Sequence, residues 1–146
     1  MKGEKIYEYD LTITGMSDYG LALQSILSGQ SPIPPQGARI DVAFEGQAKG
    51  RLSGRVSGVD YLKVRADGRI DLDIRAVIET DDGHRIALSA DGVATLRATE
   101  PVADLCENVI LTTAAPKYAW IHSRQIWAIG TVNLAAGTIH LDAYLQ

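Results

Sequence analysis

A two-residue period of apolar and polar side chains recurs along almost the whole chain, and it constrains the fold more than any other feature. In Tyr7-Glu8-Tyr9-Asp10-Leu11-Thr12-Ile13-Thr14 the odd positions are apolar and the even ones polar, as in a strand with one face in a core and the other in water. Ala38–Glu45 repeats the pattern, with Ile40, Val42 and Phe44 on one face and Arg39, Asp41 and Glu45 on the other. Arg69–Glu79 is long and places Ile70, Leu72, Ile74, Ala76 and Ile78 together. Further strands are predicted at Arg51–Val56, Val59–Arg65, Arg85–Ala90, Val93–Arg97, Asn108–Thr113, Gln125–Val132 and Thr138–Leu145. Turn signals separate many of them, at Ala66-Asp67-Gly68, Thr80-Asp81-Asp82-Gly83, Asp91-Gly92 and Ala136-Gly137.

About nine or ten strands joined mostly by short turns describe an all-β meander. A meander of that length removes its exposed edges by closing, so the expected fold is a closed antiparallel up-and-down β-barrel. The glycines at 46, 50, 54 and 58 suit a strongly curved sheet. One insertion, about residues 17–37, interrupts the pattern. Ser17–Leu27 reads as a short helix capped by Ser17 or Asp18, with Tyr19, Leu23, Ile26 and Leu27 on one face. The Pro-rich arm Gly29–Gly37 then returns extended to the sheet. This insertion is either a lid or plug at a barrel mouth, or a plain surface excursion over one barrel end.

The 146 residues fit one domain. A net charge of −4 with scattered basic residues argues against nucleic acid or an anionic membrane surface as partner. No run of 18 apolar residues is present, and the start MKGEKIYEYD lacks the apolar segment of a signal peptide. The single cysteine, Cys106, excludes an internal disulfide and fits a reducing cytoplasm, the expected location. Homo-oligomerisation is left open.

Dinucleotide fingerprints, phosphate loops, nucleophile elbows and paired-cysteine metal motifs are all missing. No cofactor is expected. No metal site is expected either, since His84, His122 and His140 stand far apart in sequence. Asp81-Asp82-Gly83 lacks the alternating ligands of a calcium loop and reads as a hairpin turn. Acidic Asp104 and Glu107 flank Cys106 and disfavour a thiolate.

Asp60 stands out because it shares strand parity with Leu62 and Val64, on the apolar side. A carboxyl group in an apolar cavity has a raised pKa and suits general acid–base work; the alternative is a carboxylate that accepts backbone or Arg hydrogen bonds and fixes local structure. Arg75 lies on the polar face with Asp71, Asp73 and Glu79. It is either part of a solvated face of weak ion pairs or, were that face to line the lumen, a partner for Asp60 or a substrate carboxylate. In Tyr118-Ala119-Trp120-Ile121-His122, an extended backbone puts Tyr118, Trp120 and His122 on one side, with Trp127 soon after. A Trp–His pair at a barrel mouth can stack a ligand and exchange protons. The other reading is an aromatic plug closing the barrel floor, with His122 bonded to backbone.

Three stretches resemble the family known as domain of unknown function 3237: Gly54–Tyr61, with small residues before Asp60; Arg75–Gly83, with its acidic turn; and Tyr118–His122. Tyr61 stands where that family usually has Trp, Ala76 where it has Tyr, and His122 where it more often has Asn. The resemblance implies a calycin-like, lipocalin-like closed barrel, and a site shared by Asp60, Arg75, Tyr118 and Trp120 inside it.

A barrel of this size holds side chains or one small ligand. The leading expectation is an enzyme that uses no cofactor, performing lyase, isomerase or hydratase-type proton transfer on a small hydrophobic, possibly aromatic, compound. Asp60 would be the base, His122 its acid–base partner and Arg75 a stabiliser of negative charge; Tyr118, Trp120, Tyr61, Phe44 and Trp127 would line the substrate site. The alternatives are a non-catalytic carrier or sensor of a small hydrophobic ligand, and a structural or assembly module.

Overall fold

Eight strands take up the alternating segments in the computed structural model, which describes residues 2–146. They are β1 (Glu4–Asp18), β2 (Ala38–Gly50), β3 (Gly54–Val64), β4 (Ile70–Thr80), β5 (Arg85–Leu96), β6 (Val102–Thr112), β7 (Ile126–Asn133) and β8 (Thr138–Leu145). Each pairs antiparallel with the next, and β8 pairs with β1, so the sheet closes into the expected up-and-down barrel. Inward residues alternate with outward ones. On β4, Ile70, Leu72, Ile74 and Ile78 are buried, while Asp73, Arg75 and Glu79 face water.

The nine or ten expected strands become eight because two apparent breaks lie inside strands. Gly58 sits within β3 and Gly92 within β5, and neither has a positive φ. Both are demanded by close approach. A Cβ on Gly58 would lie 2.3 Å from the Arg75 carbonyl oxygen, and one on Gly92 would lie 2.1 Å from that of Cys106 and 2.9 Å from the Cα of Glu107. Asp91-Gly92 is therefore no turn but a point inside β5 where the backbone of its ladder partner β6 approaches closely.

The insertion also differs from expectation. β1 continues to Asp18, pairing Gly15 with Ala43 and Ser17 with Asp41 beyond a bulge after Ile13. Backbone pairing to β2 overrides the helical reading of its first residues, and the helix α1 covers only Leu23–Leu27. Its carboxyl end and the arm beyond it turn at Gly29 and Gly37, both at positive φ.

The two barrel ends differ. α1 lies at one end, together with the connections β3–β4, β5–β6 and β7–β8. At the other end, Tyr118–His122 is not extended: Pro116–His122 forms a 3₁₀ helix whose Tyr118 and Ile121 are buried. Pro116, preset for a helical first turn, starts it. Near that floor the barrel is filled by side chains such as Tyr7, Leu52, Ile78, Ile86 and Ile126, all fully buried. No helix among the described residues is long and apolar enough to cross a membrane.

Candidate active site

Toward the α1 end the barrel interior opens into a cavity of about 80 Å³. That is room for roughly five to eight water-sized groups. Its wall is aliphatic apart from Phe44 and three polar side chains: Tyr9 from β1, Asp60 from β3 and Glu107 from β6. Leu23 and Leu27 of α1 and the exposed Met16 and Leu96 border it. Among the described residues no Lys, Arg or His lines this space.

Asp60 reaches the interior because its strand neighbours Leu62 and Val64 do, as parity dictates. Ladder pairing between β3 and β4 lapses after Asp60–Ile74 and resumes at Lys63–Asp71. In that gap Asp60 Oδ1 accepts the backbone N–H of Asp73 at 3.0 Å. Burial raises the Asp60 pKa to about 6, even though the Asp73 hydrogen bond pulls the other way.

Glu107 occupies the inward slot in the series Ala103, Leu105, Glu107, Val109, Leu111 on β6. It is almost completely buried, and its Oε1 has no hydrogen-bond partner. Burial first, and the charge of Asp60 second, push its pKa to about 8. At neutral pH the cavity thus holds one carboxylate, on Asp60, and one carboxylic acid, on Glu107. The buried Tyr9 hydroxyl is kept protonated, by burial and then by Glu107, Tyr7 and Asp60. Tyr7 packs against Tyr9 with ring centroids 5.6 Å apart, and its buried hydroxyl is also unpartnered.

The other expected site residues lie elsewhere. Arg75 points outward from β4; its side chain is 66 % exposed and pairs with Asp73 at 3.3 Å. Its odd-numbered position puts it on the solvent face, so it neither meets Asp60 nor lines the lumen. Tyr61, next to Asp60, points the opposite way and lies 5.1 Å from the Arg39 guanidinium. Trp127 is 41 % exposed on the outer face of β7. Phe44 does line the cavity.

Tyr118, Trp120 and His122 sit at the far floor of the barrel. The Tyr118 hydroxyl donates to Asp82 at 2.7 Å, and Lys117 pairs with the same carboxylate. Lys117, Thr80 and Tyr118 together hold the Asp82 pKa far below the usual range. The Arg51 guanidinium packs 3.8 Å above the Trp120 ring. His122 Nε2 accepts the backbone N–H of Thr113 at 3.1 Å. These contacts tie the 3₁₀ helix across the β4–β5 turn and β6, making it the plug of the barrel floor.

Glu107 and Tyr9 are the cavity residues that the strand pattern does not single out. The signal that marks Asp60 is present at Glu107 as well. It is lost when the strand is started at Asn108, because the apolar slots at 103 and 105 then fall outside it.

The histidines do not gather. His140 stands on the outer wall, bonded to Asp10 at 2.7 Å and to Asp142 at 3.2 Å. Glu8, His140 and Asp142 come within 4.8 Å of one another, but Glu8 is already paired with Lys5 and Lys49, and Asp142 with Lys5.

The same fold recurs in solved structures. The chain matches a protein with unknown function from Clostridium acetobutylicum with a TM-score of 0.81 and 21% identity, over 99% of this chain and 97% of that one. It matches a beta-barrel like protein from Acinetobacter baumannii with a TM-score of 0.75 and 22% identity, over 99% and 94%. A protein from Penicillium herquei described as an enzyme matches with a TM-score of 0.64 and 21% identity, over 98% and 93%. No curated protein matches the chain. The model of the family DUF3237, described as a protein of unknown function, matches residues 22–145, and the chain belongs to that family.

Proposed function

We propose that this barrel is an enzyme of the proton-transfer type, a lyase or isomerase, acting on a small and largely apolar compound held beside Asp60 and Glu107. One observation carries the reading: two buried carboxyl groups share an aliphatic cavity, and their surroundings set their pKa values apart, at about 6 and about 8. Such a pair supplies a base and an acid at the same pH. Asp60 is the base. Glu107 is the acid, the role that the sequence assigns to His122. The fold's occurrence in a protein described as an enzyme is in keeping with this.

In the proposed step the Asp60 carboxylate takes a proton from substrate carbon. The released electron pair moves onto a substrate oxygen, which the Glu107 carboxylic acid meets with its O–H. Return of a proton to a different carbon gives an isomer, and loss of a leaving group gives an elimination product. Aliphatic walls keep bulk water from the two carboxyl groups and maintain their raised pKa values.

The test compares wild type with Asp60→Asn and Glu107→Gln against a library of small carbonyl and aromatic compounds, in D2O and with mass spectrometric detection. Both changes keep side-chain shape, and the amide in Asp60→Asn retains an oxygen to accept the Asp73 N–H. Turnover or deuterium incorporation by wild type, reduced about 100-fold or more in Asp60→Asn and about 10-fold or more in Glu107→Gln, is the expected result. A compound retained unchanged and equally by all three proteins would replace this reading with that of a carrier.

A further inference from the structure

The cavity is selective in charge. Asp60 brings a negative charge to it, and among the described residues no basic side chain faces it. A carboxylate or phosphate on the ligand would enter an aliphatic space beside a like charge with no cation to balance it, which is strongly unfavourable. Cationic amines meet a different obstacle. The two neutral polar groups, the Glu107 carboxylic acid and the Tyr9 hydroxyl, each carry an O–H that needs an acceptor, and an ammonium group has none. Both are almost fully buried, and Oε1 of Glu107 has no partner within the protein. The complement of one carboxylate and two O–H donors is a neutral ligand with a carbonyl oxygen for the donors and an acidic C–H for the carboxylate.

We infer that the substrate is a small, uncharged, enolisable ketone or aldehyde, and that Tyr9 and Glu107 together bind its oxygen while Asp60 shuttles the α-proton. This rests on the acid–base reading above and narrows it. The Asp60 carboxylate accepts the α-proton and the C–H electron pair forms the enolate C=C bond. The carbonyl π pair moves to oxygen, where the O–H groups of Tyr9 and Glu107 hydrogen-bond it. Asp60 then returns the proton to the α- or γ-carbon, so no oxidant, reductant or co-reactant is consumed. Carboxylic acids kept neutral by apolar surroundings are suited to stabilise such oxyanions. The cavity volume of about 80 Å³ limits what it encloses to a few heavy atoms, since an engineered apolar cavity that holds benzene measures about 150 Å³.

Small probes test this directly. Proton NMR in D2O follows α-deuteration of cyclohexanone and conversion of cyclohex-3-enone to cyclohex-2-enone. Phenol, an enolate mimic, is compared in binding with benzoate and cyclohexylammonium. The expected result is ketone exchange catalysed by wild type, lost about 100-fold or more in Asp60→Asn. Tyr9→Phe and Glu107→Gln should each lower kcat about 10- to 1000-fold with little change in KM. Phenol should bind at least about 30-fold tighter than benzoate or cyclohexylammonium, and that preference should shrink in Tyr9→Phe. Benzoate or cyclohexylammonium binding as tightly as phenol overturns the substrate class and leaves the acid–base reading standing. The same holds if the ketones are inert while another library compound is turned over in an Asp60-dependent way. Inert ketones with no library turnover overturn both.

Discussion

Asp60 and Glu107 face one cavity from strands three places apart in the barrel, yet only Asp60 has a hydrogen-bond partner, the Asp73 backbone N–H at 3.0 Å. That difference explains the order of their titration. A hydrogen bond to the charged form offsets part of the desolvation at Asp60, whereas Glu107 suffers desolvation and the charge of Asp60 with nothing to offset them.

The raised pKa values make stability depend on pH in a definite direction. Glu107 holds its proton in the folded state up to about pH 8 but would release it near 4.5 when unfolded. The stabilising contribution is complete below about pH 4.5, declines as pH rises and is lost by about pH 8. The expected slope over that window is about 1.4 kcal/mol per pH unit from this group. Asp60 acts with the same sign between about 3.8 and 6. Urea unfolding from pH 5 to pH 9 should show wild type losing stability up to about pH 8, and Glu107→Gln losing much less. Parallel curves for the two proteins would contradict the placement of Glu107.

The floor residues should behave as structure. Tyr118→Phe removes the hydrogen bond to Asp82, and Trp120→Ala removes the surface under Arg51. Each should lower unfolding stability by about 1–3 kcal/mol. Neither should change ketone exchange at saturating substrate, because neither side chain borders the cavity. Loss of exchange in a still-folded Trp120→Ala protein would return the aromatic segment to the site.

Gly92 ties the fold to the site. It pairs with Glu107 across β5 and β6, and an added Cβ would collide with the β6 backbone at Cys106 and Glu107. Gly92→Ala should cost about 1–3 kcal/mol, the usual penalty for forcing atoms into a packed interior, and should weaken exchange by displacing Glu107. Gly68→Ala, at an open turn with positive φ, is the control: it should cost stability through backbone strain yet leave exchange unchanged. An unaffected Gly92→Ala protein would mean that the strands do not approach as closely as described.

Strand parity makes much of this fold legible in the amino-acid sequence. It places Ile70, Leu72 and Ile74 inward, Arg75 among solvent-facing residues, and Asp60 on the apolar side. Closure is legible too, since a long meander otherwise leaves open edges. Glu107 is hidden by where the local pattern starts its strand. Asp91-Gly92 looks like a hairpin turn and splits β5, and the strand expected at Asn108–Thr113 takes in only the second half of β6. What the glycine at 92 reports is the backbone of the neighbouring strand, which no local window contains. The 3₁₀ helix at Pro116–His122 misleads for a similar reason: alternating aromatics look like a strand, and only the shape of the barrel floor makes them a plug. Placing Arg75 beside Asp60 requires the polar face of its strand to line the lumen, and that face is turned to solvent.

Carboxyl carbon NMR of Asp60 and Glu107 as a function of pH tests the acid–base pair most directly. The expected result is two separate titrations, Asp60 near 6 and Glu107 near 8. The Glu107 midpoint should fall in Asp60→Asn, which removes the neighbouring negative charge. Both groups titrating together in the ordinary carboxylate range near 4 would contradict the account, because Glu107 would then be a carboxylate at neutral pH, without the proton that the chemistry requires of it.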